Sequence, residues 1–171
     1  ARARPVKYRV LTQDEWKQLA YENRVEHLRQ VVEDQSQGRI GYLHISAMGR
    51  PNQSQFEREA YEYAAGKQAM IIDVRFNMGG NIADILVDWL ERRPHGYVRP
   101  RDGTVRPSPD RAWLRPVVVL INEHSYSNGE ILPCEMRARG LAKLVGQPTP
   151  GYVIWTEGLR LVDGTNARLP L

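Results

Sequence analysis

Residues 116–121, PVVVLI, are apolar throughout and mostly β-branched. A run of this kind fits a strand covered on both faces, the usual condition of strands in a parallel sheet clad by helices. A chain built round such a strand must also supply the helices. Three further short runs read as strands: IGYLHI at 40–45, AMIIDVR at 69–75 and AKLVG at 142–146. Helical patterns alternate with them. Thr12 and Glu15 form a capping box ahead of a helix over 13–35 that carries Trp16, Leu19, Ala20, Leu28, Val31 and Val32. Phe56, Ala60, Tyr63 and Ala64 mark a second helix, and Ile82, Ile85, Leu86, Trp89 and Leu90 follow the i, i+3, i+4, i+7, i+8 pattern of a third. A fourth is expected to run to about Arg139 and stop at Gly140, with Pro133 distorting its first turn or delaying the regular helix until that residue. The alternation predicts an α/β domain with a substantially parallel sheet.

Between the third helix and PVVVLI, residues 94–115 carry four prolines and an Asp102-Gly103 turn signal, which predicts a surface excursion or hairpin. Residues 5–11, PVKYRVL, read as a strand with no visible partner. YVIW and LRLVDGTNARL read as extended segments around Asp163-Gly164.

At 171 residues with 42% apolar and 26% charged side chains, the chain suits one folded domain rather than two or a disordered coil. The single cysteine, Cys134, rules out an intramolecular disulfide and a cysteine-built metal site, and it fits a cytoplasmic location. No apolar run approaches the roughly 20 residues of a membrane span, so no membrane partner is expected. The net charge of +4 gathers partly in Arg92, Arg93, Arg99, Arg101, Arg106, Arg111 and Arg115. Prolines interrupt this set and no zinc-finger or RNA-binding signature accompanies it, so a solvated basic face is favoured over nucleic acid. A sharper option is that some of these arginines hold the carboxylates of an acidic ligand or peptide end.

Two loops stand at the carboxyl ends of predicted strands and lead into helices, where open α/β sheets place ligands. They are NMGGN at 77–81 and NEHSYSNGE at 122–130. Gly79 and Gly80 can turn backbone N–H groups outward without a Cβ in the way, as an oxyanion hole or phosphate cradle requires, although a tight turn alone also explains them. Ser125 and Ser127 sit at the start of a helix, where serine commonly serves as an N-cap. A serine there also has its own N–H and that of Asn128 available to a developing oxyanion. His27, His44, His95 and His124 are the histidines, and spacing alone places none of them as a base for either serine.

The ordered blocks GRIGYLHISAM, AMIIDVRFNMGGN, PVVVLINEHSYSNGEI and GLAKLVGQPTPG resemble the catalytic domain of the tail-specific, or C-terminal processing, serine proteases. Within that family they are most similar to the tricorn-like branch. The resemblance covers about residues 12–165 and implies a crotonase-like and Clp-like α/β fold with a mixed sheet. It implies Ser127 as nucleophile, with oxyanion donors at Asn128 and Gly80, Gly79 as fallback and Ser125 as the lesser choice. Many family members pair the serine with a lysine, but Tyr152 occupies the matching position and Lys143 lies before that turn. Tricorn-like members use a histidine and second serine ahead of an inserted PDZ domain and a glutamate farther on, none with a matching position here. The resemblance therefore implies a domain truncated at both ends, with residues 1–11 holding the last strand of a PDZ-like module and 12–171 the catalytic core. A peptide or unfolded protein is the expected substrate, with no metal or organic cofactor, and a homo-oligomer is expected of the parent protein. A non-catalytic binding domain and a crotonase-like enzyme acting on acyl thioesters are the alternatives on the same fold.

Overall fold

The computed structural model describes residues 8–109 and 112–171. Four parallel strands form the central sheet in the order β1 (Ile40–His44), β2 (Ala69–Asp73), β5 (Val117–Ile121) and β6 (Lys143–Gly146). Register runs Ile72↔Val119 between the two central strands and Leu43↔Ile72 at one flank. Met70, Ile72 and Val119 have no exposed surface, as their uninterrupted apolar runs require.

Helix α1 (Gln13–Ser36) begins with the expected capping box: the Glu15 N–H donates to Thr12 Oγ1 at 3.2 Å, and the Thr12 N–H donates to Glu15 Oε2 at 2.9 Å. It meets β1 from Tyr21 onward, where the Tyr21 hydroxyl bonds His44 at 2.9 Å. Trp16, Leu19 and Val31 are 61%, 40% and 41% exposed, so the apolar spacing along α1 does not form a buried stripe. Residues 8–11 adopt no strand, and the remainder of the PVKYRVL strand reading, together with Arg111, lies outside the described residues.

Helix α2 (Arg50–Glu59) passes into a wider π turn over Ala60–Ala64. Helices α3 (Ala83–Glu91) and α4 (Asn128–Ala138) pack together over the sheet, burying Leu86, Val87, Leu132 and Met136. Each such side chain contributes roughly 1.5–3 kcal/mol of transfer free energy before ordering costs are subtracted. The proline-rich excursion is a small hairpin of β3 (Gly96–Val98) and β4 (Arg106–Ser108). A second hairpin, β7 (Thr156–Arg160) with β8 (Asn166–Pro170), closes the chain, and Asp163-Gly164 supplies its turn. The YVIW segment before it is irregular rather than a strand.

Pro133 neither delays nor ends α4, which is helical from Asn128. The Ser127 carbonyl accepts from both the Glu130 and Ile131 N–H groups, at 2.7 and 3.0 Å, so the first turn is fixed before the proline removes one donor.

Candidate active site

Because β2 and β5 are adjacent, the loops that leave their carboxyl ends lie side by side. Asn77, fully buried in the first loop, joins them. Its Nδ2 donates to the Ile45 carbonyl at 2.7 Å, its Oδ1 accepts the Gly79 N–H at 2.8 Å, and its carbonyl accepts the Tyr126 N–H at 2.8 Å. Asn122 plays the corresponding part in the second loop, where its Oδ1 accepts the N–H groups of Phe76 at 3.0 Å and His124 at 3.2 Å. Two asparagines thus fix the loops from beneath by satisfying backbone groups that no sheet or helix serves.

The glycines are demanded by close approach. A Cβ on Gly79 would lie 2.8 Å from Ser127 Cβ, so the serine turn rests directly on the glycine loop. Gly80 has φ of +148°, and a Cβ there would lie 2.0 Å from the Met48 carbonyl oxygen, beside which it forms a parallel bridge.

Ser125 and Ser127, equivalent by spacing, have different surroundings. Ser125 is wholly buried and its hydroxyl donates to the Val74 carbonyl at 2.8 Å. Ser127 is half-buried and adopts φ 51°, ψ −120°, a backbone region that costs a non-glycine residue on the order of 1–3 kcal/mol. Three contacts hold it there. Its N–H is shared between Glu130 Oε1 and the Tyr152 carbonyl, each at 3.2 Å, and the second Glu130 oxygen accepts the Gly151 N–H at 2.6 Å. Asn128, next in sequence, accepts the Ala83 N–H on its Oδ1 at 2.7 Å, which links the starts of α3 and α4.

Ser127, Asn128 and Gly80 line one hollow of about 180 Å³, together with Val153–Thr156 and Arg168. Gly79 spends its N–H on Asn77, but among the described residues the amides of Gly80 and Asn128 donate to nothing. The hollow therefore offers a hydroxyl and two unspent N–H donors.

None of the histidines bonds to Ser127. His27 is exposed on α1, His95 lies beside the β3–β4 hairpin, and His124 stacks on Phe76 at 5.4 Å, a ring that also carries the Arg24 guanidinium at 5.2 Å. His44 is buried at the end of β1, where its Nδ1 accepts from the Tyr21 hydroxyl at 2.9 Å and its Nε2 donates to the Arg75 carbonyl at 3.2 Å. Burial pulls its pKa below the ordinary histidine value, with the Asp73 charge acting in the other direction. Asp73 is fully buried at the end of β2. Burial disfavours its charge, but hydrogen bonds from Arg75 and from the Tyr42 hydroxyl, the latter at 2.7 Å, outweigh this and lower its pKa. Tyr152 stacks on Tyr126 at 5.7 Å, and Lys143 is exposed at the start of β6. Among the described residues, no group of three or more histidine, cysteine, aspartate or glutamate side chains could hold a metal ion, and no helix is long and apolar enough to cross a membrane.

Sequence reading passed over four residues that shape the site: Asn77, Asn122, Glu130 as a buried tether, and Arg168. Asn122 had a legible signal, being the first polar residue after the apolar β5, whereas Asn77 follows Asp73 and Arg75 and had no such signal. Arg168 had none, since only tertiary folding brings the last hairpin to the serine.

A strained serine turn seated on a glycine loop, with two open amides in the same hollow, is the arrangement of an α/β acyl-transfer site. Residues 39–171 match the profile of peptidase family S41, and the chain belongs to that family. It is 36% identical over 148 residues to the tricorn protease of Thermoplasma acidophilum, a stretch covering 86% of this chain and 14% of that protein. To tricorn protease homolog 1 of Streptomyces coelicolor it is 37% identical over 148 residues, again 86% of this chain and 14% of the relative. The crystal structure of the tricorn protease matches with a TM-score of 0.78 at 35% identity over 86% of this chain and 14% of that one. A photosystem II D1 C-terminal processing protease shares the fold, with a TM-score of 0.60 at 19% identity over 77% of this chain and 36% of its own. The chain thus spans a small part of the tricorn relatives it matches.

Proposed function

We propose that this chain is the nucleophile-bearing domain of a serine-type peptidase that cleaves peptides or unfolded proteins through an acyl-enzyme on Ser127. The observation that carries the proposal is the shared hollow in which Ser127 meets the unspent amides of Gly80 and Asn128. In this reading the hydroxyl attacks the scissile carbonyl, its Oγ–C bond forms, and the carbonyl oxygen becomes an oxyanion that takes both N–H groups. Collapse of that intermediate breaks the peptide C–N bond and leaves the ester on Ser127 until water hydrolyses it. Gly80 is preferred to Gly79 as donor because the Gly79 N–H already serves Asn77.

The attack needs a base. Among the described residues neither histidine nor lysine bonds to Ser127, so the base reaches the hollow from another part of the parent protein or from a second copy in a homo-oligomer. A hydroxyl with no base stays a weak nucleophile, and these 171 residues alone should turn over almost nothing. The single exposed free thiol, Cys134, is consistent with action in the cytoplasm.

The test is labelling of the full-length protein with a fluorophosphonate that acylates activated serines. Wild type should be labelled once, on the peptide containing Ser127, and Ser127→Ala should lose the label. Persistence of the label in that variant rejects the assignment.

A further inference from the structure

Arg168 lies on β8 opposite Gly158 of β7. Glycine puts no side chain in the way, so the guanidinium lies along the hairpin to its diagonal neighbour Thr156, whose Oγ1 accepts from both Nε and Nη2. Alternation puts Thr156, Gly158 and Arg160 on one face with Asn166, Arg168 and Pro170. Glu157 and Leu169 fall on the other face. The face that meets the hollow therefore carries two arginines and no acid, and among the described residues no carboxylate pairs with Arg168.

Arg168 also shares the hollow with Ser127, and Val153, Ile154 and Trp155, 45%, 62% and 65% exposed, line it with them. An apolar wall ending in a guanidinium, part of whose fork is unspent, suits a short apolar stem that ends in a carboxylate. Planar bidentate recognition is what arginine does better than lysine. Resting on the peptidase reading above, we propose that Arg168 is a specificity-determining residue that receives a glutamate or aspartate side chain within two positions of the scissile bond. Among the described residues, none of the arginines gathered around the β3–β4 hairpin lines this hollow, and the carboxylate-holding role falls to Arg168, outside that set.

The experiment uses the full-length protein and sets of peptides that differ only by Glu, Gln or Lys at one position within two residues of the cleaved bond. Each is made with a free and an amidated C-terminus. At one position kcat/KM should favour Glu over Gln by about tenfold, as a charge-assisted hydrogen bond allows. Arg168→Gln should bring that ratio to about one, and Arg168→Glu should favour the Lys peptide. An unchanged ratio in Arg168→Gln overturns the proposal. So does a preference that vanishes on amidation, which would mean that the guanidinium reads the end of the chain instead. Binding of the same peptides to Ser127→Ala protein, followed by fluorescence anisotropy, separates this claim from the catalytic one. If no peptide is cleaved but the Glu preference in binding is lost with Arg168, the peptidase reading fails and the subsite stands. If binding is indifferent to Arg168, the subsite fails whatever the catalytic result.

Discussion

The Oδ1 of Asn128 accepts the Ala83 backbone N–H at 2.7 Å, so the residue that follows the strained serine also fixes the first turn of the neighbouring helix. Both groups are buried, and neither has water to replace the other. Replacement by alanine keeps the Asn128 amide but orphans the Ala83 N–H. Asn128→Ala should lose about 1–3 kcal/mol in urea unfolding, whereas Asn128→Asp, which keeps an acceptor, should lose less. In the full-length protein the alanine variant should also label more slowly with fluorophosphonate. Equal stability of the two variants would mean that this bond does not hold the turn.

Gly80 and Gly66 both have positive φ, at 148° and 79°, but a Cβ at Gly80 meets the Met48 carbonyl at 2.0 Å while one at Gly66 meets nothing within 4 Å. Gly66→Ala should therefore cost only the left-handed backbone penalty, roughly 1–2 kcal/mol. Gly80→Ala must break the bridge to Met48, and its loss should be larger. If the Gly80 N–H serves as the proposed oxyanion donor, its displacement should also reduce turnover of the full-length protein by about 10²–10³. Thermal unfolding of the pair decides whether steric approach, rather than backbone sign alone, selects glycine at position 80.

Glu130 uses both carboxylate oxygens, one for the Ser127 N–H and one for the Gly151 N–H. Glutamine has one acceptor and would turn an NH2 toward the other amide. Glu130→Gln should destabilise by about 1–3 kcal/mol and loosen the 151–155 segment, seen as faster amide exchange at Gly151 and Ser127. Protection equal to wild type at both amides would remove Glu130 from its tethering role.

The sheet was legible because β5 is apolar throughout and β2 is apolar up to its terminal Asp73, and the two site loops because a glycine pair and a serine cluster punctuate the junctions after them. Two kinds of information were not. One was exposure. The spacing of Trp16, Leu19 and Val31 describes a stripe but does not say whether anything covers it. The other was the choice between chemically equal neighbours. Ser125 and Ser127 are both N-terminal serines by spacing, and what separates them in the structure is the Val74 carbonyl, 51 residues from Ser125, which takes the Ser125 hydroxyl. Pro133 misled for a related reason. Helix-breaking rules count the lost donor, whereas the doubly used Ser127 carbonyl and the surrounding core hold the turn despite it.

His44 gives the fold a pH dependence whose sign follows from its bonds. The Arg75 carbonyl can only accept, so Nε2 carries the proton and neutral Nδ1 accepts from Tyr21. Burial disfavours a charge there, which is why the folded-state pKa is lowered, and protonating Nδ1 would also take the acceptor from the Tyr21 hydroxyl. Unfolded, the same histidine titrates near 6.5. Below that pH the unfolded chain binds a proton that the folded chain refuses, so the stabilisation is complete above about 6.5 and declines as pH falls toward the folded-state pKa. Asp73 has the same sign, but its window lies lower, below the ordinary aspartate pKa, and does not overlap. Urea midpoints measured from pH 8 to pH 5 should fall on the acid side for wild type. The decline should be smaller in Tyr21→Phe, where loss of the donor to neutral Nδ1 lets the His44 pKa rise toward normal, and it should shrink further in His44→Gln. A decline of equal size in all three proteins would assign it to other groups.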